Sequence, residues 1–337
     1  MRSVMIGPNE AGQRLDKFLR KYMEEAPDSF FYKMMRKKNI VLNGGKCTGK
    51  EKLQEGDEVK FFLAEETMEN FGARTVFVCD TSEYERAFRK LSGIAVLFEN
   101  EHLLALDKPA GVLSQKAAAS DLSLNEWLTG YLLAEGKITP AQLATFRPSV
   151  CNRLDRNTSG IVLCGKSLEG SRILTREIRE KKIRKFYRLL VTGEVKKAAL
   201  LEGWLKKDSA KNQVEIFREE KEGCDYIKTG ITPLMTGFLK GIGPVSYAEV
   251  ELFTGKTHQI RAHLSSIGHP LLGDLKYGNK KTNEACLSCG IRRQLLHAFR
   301  VEFPLSGMEG VAPGGKELTA PLPADFEKIL TQISAKG

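Results

Sequence analysis

The sequence predicts an α+β fold with two domains, a small N-terminal α/β domain followed by a larger, strand-rich domain. At 337 residues, the chain is longer than one average domain. Short apolar segments bounded by turn residues recur along the chain, with helical patterns between some of them. Strands and helices do not alternate in a regular βαβ order, which argues against a doubly wound parallel sheet.

The predicted boundaries are residues 1–64 for the small domain, 65–93 for a linker and 94–337 for the large domain. Residues 65–93 carry mixed charge, and their one short apolar run is residues 75–79. Segments of this length without a clear pattern are typical of linkers or insertions.

The composition favours a polyanionic partner. The formal net charge is +10 and the pI is about 9.1. Charge alone does not separate a nucleic acid from an anionic membrane, but no segment approaches the roughly 20 apolar residues of a membrane span, and no signal peptide is evident. The seven cysteines have no framework spacing, so we expect reduced thiols. These features predict a cytoplasmic protein without a membrane partner.

The small domain is predicted to contain two short amphipathic helices and a few strands. The apolar residues with helical spacing are Leu15, Phe18, Leu19 and Tyr22 in the first helix, and Phe30, Phe31, Met34 and Met35 in the second. Residues 40–42 and 59–63 have strand patterns. The second helix also carries Lys33, Arg36, Lys37 and Lys38. This lysine-rich surface suits contact with an RNA backbone, although a solvated basic helix would show the same pattern.

The large domain begins with a predicted strand pair and ends with a small helix. Strands are predicted at residues 94–98, 103–106, 161–164, 185–191 and 299–303. Helices are predicted from Ser123, over residues 170–182, after residue 257 and over residues 324–333, with a loop at 306–323. Lys108 and Pro109 turn the chain after the first strand pair, and we expect Lys108 to hold a turn or a phosphate.

The segment of residues 152–160 is the predicted reaction centre. Asp155 lies between Arg153 and Arg156, and a polar turn then leads through Gly160 into a buried strand. Two nearby cations would favour the ionised carboxylate, which can act as a nucleophile or a base. An Asp that caps its own turn, or one that forms a surface ion pair, would give a similar local pattern.

A second informative segment is residues 255–264. Thr257 is a candidate helix cap, and Ile260 with Leu264 marks a buried helix face. His258 and His263 are separated by about 140° around a helix, and no H-E-x-x-H pattern occurs, so we predict no metal site. The C-x-x-C of residues 286–289 has no second pair and is interpreted as incidental.

A cluster of cations precedes and enters the strand at residues 185–191. Its members are Arg176, Arg179, Lys181, Lys182, Arg184, Lys185 and Arg188. Their number exceeds what a helix dipole requires, which favours phosphate contact. Within the cluster, Tyr187 is either a half-buried strand aromatic or a functional side chain.

Four of these segments resemble motifs of the RluA-type pseudouridine synthases. Residues 152–160 are similar to H-R-L-D-x-x-T-S/T-G, residues 108–111 to K-P-x-G, residues 185–187 to K-x-Y, and residues 255–264 to G-R/K-T-H-Q-I-R-x-H-L. Asn152 stands where the family usually has His. The first 64 residues resemble the αL RNA-binding domain named after the fourth small-subunit ribosomal protein.

The resemblance implies a pseudouridine synthase fold in the large domain, with a long mixed but largely antiparallel sheet and a basic cleft. It implies that Asp155 is the nucleophile, that Arg261 pairs with it, and that Tyr187 stacks on the flipped base and assists late proton removal. The residues predicted to contact RNA are Lys33, Arg36, Lys37, Lys38, Arg153, Arg156, Arg179, Lys182 and Lys185.

The implied reaction isomerises a uridine in RNA to pseudouridine, without any cofactor or metal. Large-subunit ribosomal RNA is the favoured substrate, transfer RNA is the second candidate, and a monomer is expected. One alternative is a non-catalytic RNA-binding or ribosome-assembly factor that keeps the fold. Another is a glycosidase, although that chemistry needs two carboxylates. Whether Asp155 attacks C1′, adds to C6 or removes a 2′-proton is left open by the residue types.

Overall fold

The computed structural model of the chain describes residues 1–7, 10–72, 80–140, 142–144, 146–208, 213–313 and 317–334. The helices within these residues are α1 (Leu15–Tyr22), α2 (Asp28–Arg36), α3 (Glu65–Asn70), α4 (Ser82–Lys90), α5 (Leu124–Ala134), α6 (Leu168–Arg179), α7 (Gln259–Ser266), α8 (Lys280–Ser288) and α9 (Ala324–Leu330). The strands are β1 (Arg2–Met5), β2 (Ile40–Leu42), β3 (Gly45–Lys46), β4 (Glu58–Phe61), β5 (Ala95–Glu99), β6 (Leu103–Lys108), β7 (Ser149–Val150), β8 (Ser159–Gly165), β9 (Arg184–Thr192), β10 (Ala199–Asp208), β11 (Gln213–Phe217), β12 (Asp225–Leu239), β13 (Gly243–Leu252), β14 (Leu296–Glu302) and β15 (Glu317–Thr319). None of the helices in these residues is long and apolar enough to cross a membrane.

The chain divides into two compact units. The first comprises Met1–Lys90, Asn125–Ser149 and Gly165–Ser171, and the second comprises Leu91–Leu124, Val150–Cys164 and Arg172–Gly337. The first unit is therefore built from three stretches of sequence, whereas a boundary at residue 64 is expected from the sequence pattern.

The beginning of the first unit is a four-stranded antiparallel sheet, in the order β1-β4-β2-β3, with α1 and α2. The apolar positions that predict the two helices form its core, in which Phe18, Phe31 and Met35 are almost fully buried. Tyr22 of α1 stacks on Phe61 of β4, with ring centroids 4.8 Å apart. The prediction of two amphipathic helices is confirmed.

The predicted linker contains two helices, α3 and α4. Met68 of α3 is buried in the core that α1 and α2 form. Helix α4 packs so closely on α5 that a Cβ atom at Gly130 would lie 2.2 Å from the carbonyl oxygen of Tyr84. The sequence pattern is weak here because α4 is mainly charged and places few apolar side chains in the interface. Residues 75–79, the apolar run of this segment, lie outside the described residues.

The second unit is organised around a sheet of eleven strands in the described chain. Its main path is β11-β10-β12-β13-β9-β14-β8-β6-β5, with β15 paired to β14 and β7 to β8. Strands β8 and β14 run parallel, whereas β10 to β13, β9 and β14 form antiparallel pairs. The prediction of a mixed, largely antiparallel sheet in an α+β fold is confirmed.

Strand β15 lies within the region predicted as the loop of residues 306–323. It has three residues, and all of them pair with β14. A strand this short leaves little local pattern, since its hydrogen bonds are made to a strand earlier in the chain.

Strand β9 has two different faces because successive side chains of a strand point to opposite sides. Arg184, Phe186 and Arg188 lie on one face, where Arg184 contacts Glu251 and Glu302. Lys185 and Tyr187 lie on the other. The predicted cationic cluster is therefore divided between the two sides of the sheet.

Candidate active site

The Asp155 carboxylate lies on the loop between β7 and β8 and is directly paired with an arginine. Its Oδ2 atom accepts a hydrogen bond from Nη1 of Arg261 over 2.8 Å. The Asp155 side chain is 27% exposed, so a substrate can reach it. The ion pair implied by the family resemblance is thus present in the structure.

Arg261 is held on its other edge by a second carboxylate. Its Nε and Nη2 atoms donate to Oδ2 and Oδ1 of Asp274 over 2.7 and 2.8 Å, in a bidentate arrangement. Burial by itself would lower the pKa of Arg261, but the bonds and charge of Asp274, with those of Asp155, raise it overall. The guanidinium is therefore a permanent, fixed cation with one edge available to Asp155.

Asp274 is fully buried and has a network of its own. Its Oδ1 atom also accepts hydrogen bonds from the backbone N–H groups of Lys276 and Tyr277, over 3.0 and 3.2 Å. Burial favours the neutral acid, but the contacts with Arg261 and these N–H groups outweigh it and lower the pKa of Asp274. No role for Asp274 follows from its residue type or from its spacing in the sequence.

The start of α7 aims Arg261 into the site. The residue before the helix is His258, which adopts a left-handed conformation with φ of 53° and makes no side-chain cap. The expectation that Thr257 caps the helix is therefore wrong. The side chain of Gln259 stabilises this turn instead, because its Oε1 atom accepts from the Lys256 N–H over 3.1 Å and from Thr254 over 2.9 Å.

His258 also lies beside the Asp155 carboxylate. Its Nε2 atom is 3.9 Å from Oδ2 of Asp155, and its Nδ1 atom is 2.9 Å from the hydroxyl of Tyr277. Burial lowers the pKa of His258, although the charge of Asp155 acts in the opposite direction. The lowered pKa favours a neutral imidazole near Asp155 at pH 7.

Several side chains fix the loop that carries Asp155. Lys108 is buried, and its Nζ atom donates to the carbonyl oxygens of Pro109, Val112 and Arg156 over 3.0, 2.8 and 3.2 Å. The Ser114 hydroxyl contacts both the N–H and the carbonyl of Leu154 over 2.9 Å. The expectation that Lys108 holds a turn is confirmed.

The two ends of the segment of residues 152–160, which carries Asp155, are also held in place. Asn152 accepts a hydrogen bond from the N–H of Leu163 over 2.7 Å, so it ties the loop to β8. Gly160 has a φ of +111°, and a Cβ atom there would lie 2.2 Å from the carbonyl oxygen of Ala298 on the parallel strand β14. Only glycine fits this position.

Tyr187 lines the same cleft as Asp155 and Arg261, a cavity of about 1610 Å³. The ring is 5% exposed, and burial together with the nearby charge of Asp155 raises the pKa of its hydroxyl. Within the described part of the chain, the hydroxyl has no hydrogen-bond partner. A neutral phenol with free hydrogen-bonding capacity is thus presented to the cleft.

The predicted RNA-contacting residues of the second unit have different surroundings. Arg153, Arg156, Arg179 and Lys185 line the cleft. Arg153 and Arg156 are exposed, and the cation that contacts Asp155 is Arg261 instead of these two sequence neighbours. Lys182 does not line the cleft and pairs with Glu180 over 2.7 Å.

The predicted RNA-contacting residues of the first unit lie on α2 or directly follow it. Lys33, Arg36, Lys37 and Lys38 are all exposed. None of the four forms an ion pair with any residue that the structure describes.

The two histidines weighed as zinc ligands have other partners. Nδ1 of His263 is 3.1 Å from the hydroxyl of Thr229, whereas His258 contacts Tyr277. Across the described residues, no three His, Cys, Asp or Glu side chains are grouped so that they could hold a metal ion.

Comparison with known proteins relates the chain to enzymes that act on RNA. The model of the family described as RNA pseudouridylate synthase matches residues 102–266. Among curated relatives, ribosomal large subunit pseudouridine synthase C of Vibrio cholerae is 31% identical over 338 residues, which cover 98% of this chain and 96% of that protein. The proteins of that name from Pasteurella multocida and Escherichia coli are 29% and 28% identical, over 98% of this chain and 93% and 96% of theirs.

A solved structure shows the same fold. Human RNA pseudouridylate synthase domain containing 4 superposes with a TM-score of 0.56 at 18% sequence identity, over 75% of this chain and 95% of that one. Because the likeness to the Vibrio cholerae protein extends over almost the whole of both chains and the family model spans the segment that carries Asp155 and Arg261, the chain belongs to the RNA pseudouridylate synthase family and is an RNA pseudouridine synthase.

Proposed function

We propose that this enzyme isomerises specific uridines of large-subunit ribosomal RNA, with Asp155 as the nucleophile. The ribosomal substrate is supported by the names of the relatives, each called a ribosomal large subunit pseudouridine synthase. The observation that carries the catalytic assignment is the accessible Asp155 carboxylate, held by an arginine that a buried carboxylate fixes in turn.

The geometry around Asp155 suits covalent catalysis. Arg261 binds the Oδ2 atom, while the Oδ1 atom has no hydrogen-bond partner among the described residues and can face a substrate. In the reaction the N1–C1′ bond breaks, the uracil turns, and a C5–C1′ bond forms while the C5 hydrogen leaves as a proton. No water is consumed, so one attacking carboxylate, that of Asp155, is sufficient for such an isomerisation.

Tyr187 is assigned to the base and to the late proton transfer. Its ring offers a stacking surface, which would offset part of the few kcal/mol that flipping a base costs. Because its pKa is raised, the phenol is neutral at pH 7. A neutral phenol can only relay the C5 proton, which it takes up at oxygen while its own proton passes to the Asp155 carboxylate, once the bond to the sugar has released it, or to water in the cleft. It does not act as a free phenolate.

RNA is proposed to lie in a basic cleft. Lys and Arg side chains outnumber Asp and Glu in the cleft lining, and the predicted contacts Arg153, Arg156, Arg179 and Lys185 are among them. The pKa of Lys185 is lowered by burial, so approach of a phosphate would favour its charged form. Lys182 would have to exchange Glu180 for a phosphate.

The αL-like N-terminal region is proposed to be a second RNA-binding surface. Its exposed cations Lys33, Arg36, Lys37 and Lys38 can contact the RNA backbone. We propose a monomer that works in the cytoplasm, where it meets its RNA.

The test uses unmodified large-subunit ribosomal RNA and transfer RNA transcripts that carry tritium at uracil C5. Isomerisation releases tritium to water and leaves the chain intact, whereas a glycosidase would release labelled uracil and a binding protein would release nothing. We expect release from the ribosomal transcript, with Asp155→Asn slower by several factors of ten, each about 1.4 kcal/mol. Asn keeps the shape and removes the charge, so near-normal release by this variant would assign the chemistry to another group.

A further inference from the structure

Tyr226 is an exposed aromatic residue in the lining of the same cleft, and the proposed chemistry does not use it. It is the second residue of β12 and is 40% exposed, in contrast to the buried Tyr187. Two tyrosines thus line one cleft in different environments. The buried ring suits the reaction centre, and the exposed ring can meet a group outside it.

The Tyr226 ring is held in place from two sides. Trp204 on β10 packs against it edge to face, with ring centroids 5.4 Å apart and planes at 67°. Its hydroxyl donates a hydrogen bond to Oε1 of Glu202 over 2.8 Å. An aromatic ring that is already ordered loses little conformational entropy when a ligand stacks on it.

One lysine, Lys228, supplies positive charge beside this ring, because its ammonium and the Tyr226 hydroxyl share the carboxylate of Glu202. A second, Lys256, lines the same cleft on the other side of β12. The Nζ atom of Lys256 is 2.7 Å from Oδ1 of Asp225, and that of Lys228 is 3.1 Å from Oε1 of Glu202. Both side chains are partly exposed, and an ammonium has three N–H donors, so a single carboxylate contact leaves others available. A free aromatic face next to an ammonium group suits a nucleotide, which combines a flat base with an anionic phosphate.

We propose that Tyr226 is a stacking platform for an unpaired base that flanks the target uridine, with Lys228 near the adjacent phosphate. The platform shares a cleft with the reaction centre, since Tyr226 lines the same cavity as Asp155 and Arg261. This inference rests on the proposed function, because it needs RNA in the cleft. Tyr226 is thereby a substrate-positioning residue in addition to the reacting groups.

The first test compares three variants on the C5-tritiated ribosomal transcript. Tyr226→Leu removes the aromatic face, and Tyr226→Phe removes only the hydroxyl. The matched control is Phe238→Leu, since Phe238 lies on the same strand, is 44% exposed and does not line the cleft. We expect Tyr226→Leu to raise KM about 5- to 140-fold, the range of base–aromatic stacking, with a far smaller effect on the rate at saturating RNA.

The other two variants separate the loss of stacking from a non-specific effect of substituting an exposed aromatic residue. Tyr226→Phe should stay within about twofold of the wild-type KM because the stacking face is kept. Phe238→Leu should match the wild type. A KM for Tyr226→Leu equal to that of Phe238→Leu would overturn the inference, as would equal losses in the Leu and Phe variants of Tyr226.

A second measurement does not depend on turnover. RNA that stacks on Tyr226 should change the fluorescence of the adjacent Trp204, and the difference between wild type and Trp204→Phe isolates this signal from Trp127. We expect the RNA-induced change to be lost in Tyr226→Leu, whereas a change of wild-type size in that variant would contradict the proposal. If the wild type released no tritium, the proposed function would be wrong. The Trp204 signal on the same RNA would still show whether a base stacks on Tyr226.

Discussion

Arginines pair with acidic residues on both faces of the central sheet, but the pairs differ in how deeply they are buried. On the cleft face, Arg261 is buried between Asp155 and Asp274. On the opposite face of β9, Arg184 contacts Glu251 and Glu302, and its side chain is 51% exposed.

On the face opposite the cleft, arginines and glutamates alternate in a network of charges that we call the lattice. Arg188 and Arg300 both contact Glu249, over 3.0 and 3.3 Å. The rings of the face are covered by the same cations, since the guanidinium carbon of Arg300 lies 3.9 Å from the centroid of Phe186. Each cation of this lattice has more than one neighbour and remains near water, so no single pair is decisive.

The comparison indicates that the loss of stability on removing one partner of an ion pair depends mainly on how deeply the pair is buried. Exposed pairs contribute about 0–1 kcal/mol because water and salt screen them. Removing one partner of a buried pair costs about 3–5 kcal/mol, since the other charge is left uncompensated. The residues of the cleft should therefore respond more strongly to substitution than those of the lattice.

The largest effect on stability is expected for Asp274→Asn. The change leaves Arg261 buried with only the partly exposed Asp155 as a counterion, and should lower the free energy of unfolding by about 3 kcal/mol. Glu251→Gln, which removes a partner of Arg184, is the matched control and should cost about 0–1 kcal/mol. Urea unfolding measures both, and equal losses would contradict the distinction between the two faces.

Arg261→Lys should affect turnover strongly. A guanidinium can hold Asp274 bidentately and still donate to Asp155, whereas an ammonium cannot reproduce that planar geometry. The loss of one charged hydrogen bond is worth about 1.5–3 kcal/mol, so we expect single-turnover tritium release to fall by about ten- to one-hundredfold. Arg300→Lys, a change in a cation that does not line the cleft, should release tritium at the wild-type rate, and an unaffected Arg261→Lys enzyme would remove support for the Asp155 pair.

The smallest effects concern binding of the RNA phosphates. Replacing Lys33, Arg36, Lys37 and Lys38 by Gln one at a time should reduce the slope of log KM against log salt by about 0.7 for each phosphate that is no longer neutralised. Arg188→Gln is the control, because Arg188 is already paired with Glu249. A slope that is unchanged by the α2 substitutions would argue against an RNA role for that surface.

Much of the fold and the identity of the candidate residues could be predicted from local pattern. Periodicity is sufficient for α1, α2, β8 and β9, because each buries a continuous face and its apolar spacing is visible within a few residues. Strands β10, β11 and β12 have no counterpart among the predicted elements. Their side chains pack against partners that the local sequence does not indicate, and β12 is irregular near Pro233.

The motifs were enough to single out one carboxylate, one tyrosine and one arginine, since Asp155, Tyr187 and Arg261 each lie in a segment that resembles the family. That Asp274 holds Arg261 became visible only in the folded chain, because the contact depends on where α7 and the segment after it meet and not on a spacing. The fold also sets how the cations divide. The strand period of two sends Lys185 into the cleft and Arg188 into the opposite lattice, whereas Arg184, the first residue of β9, pairs with lattice glutamates and also lines the cleft. The glutamates that pair with Arg184 and Arg188 become their neighbours only when β13 and β14 flank β9.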